Sequence, residues 1–129
     1  MIKQVFNIEH YWKVIVYYDI DYNLFDDVYY DLYKADVSTK TIIRLYKNIS
    51  TYKAKAVTIS NIKKNISIVI FNKHKTNEDY INSIVHEAEH IKQHILYKYK
   101  IEDSGEEPAY TIGYIAMNMF DVFINDILR

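Results

Sequence analysis

The apolar residues of the chain follow a strand-like pattern first and a helical pattern afterwards. The run Trp12–Tyr18 is short and rich in β-branched and aromatic residues, which predicts a β-strand, and Lys3–Ile8 is expected to pair with it. From Leu24 onward apolar residues recur at helical spacing, and Ser38 stands where it can N-cap a second helix. The apolar positions of these two helices are Phe25, Val28, Tyr29 and Leu32, followed by Ile42, Leu45, Tyr46 and Ile49.

The middle of the chain returns to a strand pattern. Lys55–Ser60 and Ile66–Phe71 are β-branched runs separated by the polar stretch 61–65, which predicts a β-hairpin. The second run hardly alternates between apolar and polar residues, so we expect it to be buried on both faces.

Two helices complete the chain. Thr76 with Asp79 three residues later resembles a capping box at the start of a long helix. Gly105 marks a turn, and Pro108 suits the first turn of a final helix that continues to Leu128. Since no repeat, linker or low-complexity tract interrupts this order, residues 1–129 are predicted to form one α+β domain.

Composition narrows the chemistry that this domain can perform. The chain has no cysteine, which excludes disulfides, thiolate zinc sites and cysteine nucleophiles, so nitrogen and oxygen must hold any metal. A net charge of −1 gives no basic footprint for nucleic acid, and no nucleic-acid partner is expected.

Neither end of the chain predicts export or a membrane span. Residues 1–19 mix charges into an apolar stretch and lack the features of a secretory signal. The most apolar segment, Ile112–Leu128, contains two asparagines and two aspartates, which makes it too polar to cross a bilayer. We therefore expect no membrane partner and a cytoplasmic location.

The sequence HEAEH at residues 86–90 carries the strongest indication of chemistry. On a helix His86 and His90 are one turn apart, with Cβ atoms roughly 5–6 Å from each other, so both imidazoles can reach one divalent ion. Glu87 lies about 100° further round the helix, where its carboxylate can act on a water as a general base. This arrangement is typical of H-E-x-x-H zinc peptidases.

A catalytic zinc site usually has three protein ligands and a water, so a third ligand is required. His94 continues the histidine face, but eight residues of helix separate it from His86 by about 12 Å. The carboxylates of GEEPAY, Glu106 and Glu107, are the remaining candidates.

Helical geometry favours the first of these two carboxylates. Glu106 shares a face with Ala109 and Gly113, whose small side chains are expected to let this helix approach the HEAEH helix closely. Glu107 shares its face with bulkier residues, which include Tyr110, and it is kept as the alternative.

HEAEH followed by GEEPAY resembles the zincins, in the branch whose third ligand is a glutamate on a following helix, often within an E-x-x-A pattern. It also resembles small zincin-like proteins encoded by bacteriophages of gut bacteria. The resemblance covers roughly Tyr80 to Phe120 and implies a minimal zincin-like domain with a small β-sheet, an active-site helix and a C-terminal helix. Two residues depart from the peptidase pattern: Glu89 is charged and Lys92 replaces an apolar residue.

The resemblance implies a zinc metallopeptidase. His86, His90 and Glu106 would hold Zn²⁺, Glu87 would be the catalytic base, and Tyr110 would support the oxyanion. The peptide or protein substrate would lie along Ile66–Phe71 as an edge strand.

The alternative function is a non-catalytic bacteriophage protein that keeps the fold. It would act in virion assembly or bind a host factor, and its partner would be a second copy or a virion component.

The other histidines and the tyrosines have simpler interpretations. His10 and His74 are expected to be solvated. The fourteen tyrosines are interpreted mainly as residues at the edge of the core. The alternative is an interaction face formed by Tyr17, Tyr18, Tyr22, Tyr29, Tyr30 and Tyr33.

Overall fold

The computed structural model describes all 129 residues and contains four strands and four main helices, which confirms the α+β prediction. A short 3₁₀ turn, Tyr22–Leu24, precedes the first helix, and a π-helical turn, Phe123–Ile127, follows the last. The elements in chain order are β1 (Ile2–Ile8), β2 (Trp12–Tyr18), α1 (Phe25–Lys34), α2 (Thr39–Ser50), β3 (Ala56–Asn61), β4 (Ile66–Phe71), α3 (Asn77–Tyr99) and α4 (Glu106–Val122).

Local side-chain chemistry starts the helices where the sequence predicts. The Ser38 hydroxyl accepts a hydrogen bond from the backbone N–H of Thr41 at the start of α2. The Thr76 hydroxyl accepts one from the backbone N–H of Asp79 at the start of α3. Each hydroxyl satisfies a backbone donor that has no partner within the helix.

The sheet has the order β1-β2-β4-β3. β1 pairs antiparallel with β2, and β3 with β4 as the predicted hairpin, whereas β2 and β4 are parallel. The expectation that Ile66–Phe71 is an edge strand is therefore wrong. This strand, β4, lies between two neighbours, as its apolar character on both faces requires, and β3 forms the edge of the sheet.

Helices cover both faces of the sheet and produce two hydrophobic cores. Val14 and Val16 of β2 belong to the core under α3 and α4, together with Ile84 and Met119. Ile15 of β2 belongs to the opposite core under α1 and α2, which also contains Leu32 and Ile49. Alternation of side chains along the central strands thus joins the two cores into one domain.

The C-terminal helix packs with a face other than the predicted one. Pro108, Ile115 and Met119 are buried, whereas Ala109 and Gly113 are exposed, and a Cβ added to Gly113 would meet no atom within 4 Å. The expected close approach of the small-residue face to α3 is therefore wrong. Large apolar side chains bury more area than small ones, so they determine which face of α4 turns inward.

None of the helices combines the length and the apolar character needed to cross a membrane.

Candidate metal-binding site

The HEAEH segment lies in the middle of α3, and the packing of that helix places some of its side chains at the surface and others in the interior. Ile84, Ala88 and Ile91 are fully buried against the sheet and fix the rotation of the helix. His86 is consequently left on the exposed side, while Glu87 turns inward and is only 4% exposed.

His86 and His90 meet at the surface of α3. Their Nε2 atoms are 3.1 Å apart, and the ring planes are inclined at 78°. Two nitrogens that each lie 2.0–2.1 Å from a tetrahedral zinc ion are separated by about 3.3 Å. The separation in this pair is thus close to that of two nitrogens on one zinc ion, and the same distance allows one nitrogen to donate a hydrogen bond to the other.

Glu87 lies between the imidazole pair and the edge strand. Its Oε1 accepts a hydrogen bond of 2.9 Å from the Thr58 hydroxyl of β3, and its Oε2 is 3.9 Å from His86 Nε2. Burial raises the pKa of the Glu87 carboxyl, although the Thr58 hydrogen bond and the nearby imidazoles of His86 and His90 act in the opposite direction. The carboxylate is thus held beside the imidazole pair and has increased proton affinity.

His94 ends a chain of hydrogen bonds that begins at Trp12, in the core between the sheet and α3. The indole N–H of Trp12 donates to the Ser67 hydroxyl at 2.9 Å, the Ser67 and Ser60 hydroxyls are 2.6 Å apart, and Ser60 lies 2.6 Å from His94 Nδ1. Because the indole can only donate, the simplest order has Ser67 donating to Ser60 and Ser60 to Nδ1. Burial, and secondarily His90, lowers the pKa of His94, which favours its neutral imidazole, and this order of hydrogen bonds places the ring hydrogen on Nε2.

Two residues of β3, which were not among the predicted site residues, face α3. Thr58 and Ser60 are two positions apart and so point to the same side of the strand, while Val57 and Ile59 pack into the opposite core. Their alternation was visible in the sequence. Their contact with Glu87 and His94 depends on the position of β3 at the edge beside α3, which no local pattern indicates.

The structure does not bring the predicted third ligand to the imidazole pair. Glu106, Glu107 and Tyr110 line a cavity of about 1060 Å³ that contains neither His86 nor His90. The nine residues of α3 beyond His90 carry the chain about 13 Å along the helix before α4 begins. No group of three histidine, cysteine, aspartate or glutamate side chains is close enough to hold one metal ion.

The two departures from the peptidase pattern neutralise each other. Lys92 has a side chain that is only 9% exposed, and its Nζ lies 2.8 Å from Glu89 and 2.9 Å from Asp103. These contacts connect α3 to the segment that precedes α4. The charges of Glu89 and Lys92 therefore have a structural role, since they pair with each other.

The remaining histidines divide into one exposed and one buried residue. His10 is exposed, as expected. The expectation for His74 is wrong because this residue is 9% exposed, with Nδ1 2.7 Å from the Asn72 carbonyl oxygen and Nε2 2.7 Å from the Ser83 hydroxyl.

The tyrosines singled out in the sequence do not form one surface. Tyr17 and Tyr18 are buried in opposite cores, whereas Tyr29, Tyr30 and Tyr33 are exposed on α1.

Comparison with protein families, with curated proteins and with solved structures found no match for this chain.

Proposed function

We propose that this protein is a zinc-dependent, metallopeptidase-like hydrolase that cleaves peptide bonds beside the His86 and His90 imidazoles. The observation that carries the proposal is the 3.1 Å separation of the two Nε2 atoms, with the buried Glu87 carboxylate 3.9 Å from one of them. Two imidazoles at this separation can serve as ligands of one zinc ion, and a carboxylate beside them can accept a proton from a water.

Each residue of the chain has a defined task in this reaction. His86 and His90 would hold the ion, which when bound lowers the pKa of a coordinated water to about 7. Glu87 would accept the proton of the attacking water on Oε2 and pass it to the leaving amine. Thr58 keeps the carboxylate oriented through Oε1, so Oε2 remains available for proton transfer.

The position of β3 supports a peptide as substrate. β3 is an edge strand, and its Thr58 side chain contacts the proposed base. The free backbone groups of an edge strand can pair with an extended peptide, which would then run past Glu87. We therefore expect the substrate along β3 and not along Ile66–Phe71, which is an inner strand.

The first experiment measures zinc binding. Wild type should bind about one zinc per chain, and His86→Ala or His90→Ala should abolish stoichiometric binding because each removes one of two imidazole ligands. Isothermal titration calorimetry and elemental analysis provide the readout, and His10→Ala, which removes an exposed histidine elsewhere, is the matched control. Undiminished zinc binding in both His86→Ala and His90→Ala would refute the site.

The second candidate function is the non-catalytic one, in virion assembly or in binding a host factor. The separation of Glu106 from the imidazole pair favours it, since catalytic zinc sites usually have three protein ligands. A zinc-loaded protein that cleaves no member of a broad peptide library would support this candidate over the hydrolase.

A further inference from the structure

The cavity lined by Glu106, Glu107 and Tyr110 lies at the C-terminal end of α3 and includes no residue of HEAEH. We call this cavity the tyrosine groove, and its volume is about 1060 Å³. Its aromatic lining comes from three places: the β1–β2 turn, the end of α3 and the first turns of α4. The four tyrosines of the groove are Tyr11, Tyr99, Tyr110 and Tyr114.

Three of these rings contact other groups of the protein, whereas the fourth is mostly exposed to solvent. Tyr11 and Tyr99 pack edge to face, with centroids 5.5 Å apart, and the Tyr114 hydroxyl donates a hydrogen bond of 3.0 Å to the Asn7 carbonyl oxygen. Tyr110 is 74% exposed and no hydrogen bond holds its hydroxyl. An aromatic ring so exposed beside other aromatic rings provides a free π-face for a ligand.

All charged residues that line the tyrosine groove are negative. They are Glu9, Glu106 and Glu107, and no lysine, arginine or histidine lines the surface. None of the three carboxylates takes part in a salt bridge within the chain. Glu106 and Glu107 can stabilise the N-terminus of α4, but Glu9 lies in the β1–β2 turn, outside any helix, and adds negative charge to the same surface.

We infer that the tyrosine groove binds an arginine-bearing segment of a partner protein. A guanidinium group can stack on the face of an exposed tyrosine and form paired hydrogen bonds with a carboxylate, and the groove offers both groups side by side. Its volume exceeds that of one side chain, so neighbouring residues of the segment also fit. The uncompensated negative charge disfavours nucleic acid as occupant.

The test uses a defined peptide as probe. A capped Gly-Gly-Arg-Gly-Arg-Gly-Gly peptide and the same peptide with citrulline at both arginine positions are titrated into the full-length protein by calorimetry, without added zinc. The arginine peptide should bind at least about fivefold more tightly than the citrulline peptide, since citrulline keeps the shape but loses the charge. Its affinity should fall as salt is raised.

Two variants locate the binding surface. Tyr110→Ala and Glu107→Gln should each weaken binding of the arginine peptide about two- to fivefold, the size of one exposed cation–π or ionic contact. Tyr30→Ala on α1 and Glu78→Gln at the start of α3 are matched controls, because both residues are exposed and lie outside the groove. They should bind as wild type does.

Three results would overturn the inference. Equal affinity for the two peptides would show that positive charge is not recognised. Equal losses in the groove variants and their controls would place binding elsewhere. Concentration-dependent dimerisation in ultracentrifugation that is removed by Tyr110→Ala would make a second copy of the chain the occupant. Since no zinc is present, failure here leaves the proposed hydrolase unaffected, and failure of zinc binding leaves the groove unaffected.

Discussion

Glu87 is buried and accepts one hydrogen bond, from Thr58. A substitution that keeps this hydrogen bond can therefore test the proposed catalytic role of Glu87 without disturbing the fold. In Glu87→Gln the amide oxygen can still accept the hydrogen bond from Thr58, so the fold and zinc binding should persist. The amide cannot accept a proton, and hydrolysis of an unstructured protein substrate should therefore fall about 10²- to 10⁴-fold. A fluorogenic casein assay at matched zinc content measures the change.

The control for this variant is Glu89→Gln, which changes the other glutamate of HEAEH. Glu89 pairs with Lys92 and forms no hydrogen bond or salt bridge with His86 or His90, so its removal should leave turnover within about twofold of wild type once stability is matched. Equal turnover of Glu87→Gln and wild type would remove Glu87 from the mechanism.

His74 is expected to make the stability of the protein depend on pH. Burial lowers the pKa of His74 in the folded state, with a smaller contribution from Lys55, while the Asn72 carbonyl, Asp79 and Asp19 oppose the shift. A histidine whose folded pKa is depressed stabilises the fold above its unfolded pKa of about 6.5, and this contribution is lost as the pH falls through the folded pKa.

Thermal unfolding between pH 7.5 and pH 5 tests this contribution. The melting temperature of wild type should fall over this range, and His74→Gln should melt lower at pH 7.5 but show a smaller fall. His10→Gln, at an exposed position, should keep the wild-type slope. An unchanged slope in His74→Gln would show that another group causes the acid sensitivity.

Where a single helix sets the geometry, the sequence predicts which side chains meet. The spacing of His86 and His90 on one helix predicts that they meet, and the structure places their Nε2 atoms 3.1 Å apart. The sequence around His74 does not indicate its burial, because the neighbouring Lys73 and Lys75 are exposed. Its hydrogen-bond partner, Ser83, lies about two turns into the helix that follows, α3. Such a contact is set by tertiary packing and leaves no trace in local composition.

At the scale of elements, local pattern predicted the strands and helices but not their neighbours. The bounds Trp12–Tyr18 and Ile66–Phe71 match β2 and β4 because both runs have the composition of buried strands. Their parallel pairing, which moves the sheet edge to β3, depends on how α1 and α2 carry the chain back across one face. The face of α4 that turns inward likewise depends on a tertiary contact, the packing of Ile115 and Met119 in the core that α3 shares.

The placement of α4 leads to a prediction about the two glutamates of its first turn. Both line the tyrosine groove, which contains Tyr99 at the end of α3, about 13 Å along that helix from His90. Glu106→Ala and Glu107→Ala should therefore leave the zinc dissociation constant within about twofold, whereas loss of His90 should weaken it steeply. Zinc titration by calorimetry in parallel with His90→Ala measures the difference.

A steep loss of affinity in Glu106→Ala alone would contradict this expectation. It would mean that the first turn of α4 moves onto the imidazole pair when metal binds, as the E-x-x-A resemblance implies. Loss in Glu107→Ala alone would assign the same role to the neighbouring carboxylate.

At the scale of the whole molecule, the sequence predicted one α+β domain and the structure adds that helices cover both faces of its sheet. The strands β2 and β4 contribute alternate side chains to the two cores, so neither core can lose its packing without disturbing the strands that serve the other. The two cores should therefore unfold together, although they share no helix.

Trp12, the only tryptophan, reports on this coupling. It is 1% exposed in the core under α3 and α4, whereas Leu32 is fully buried in the opposite core. Leu32→Ala should lower the free energy of unfolding by about 2–5 kcal/mol through lost burial and the cavity left behind. In urea, Trp12 fluorescence and far-ultraviolet circular dichroism should shift to the same lower midpoint, as in a two-state transition. A fluorescence midpoint that stayed at the wild-type value while the dichroism shifted would show instead that the two cores unfold separately.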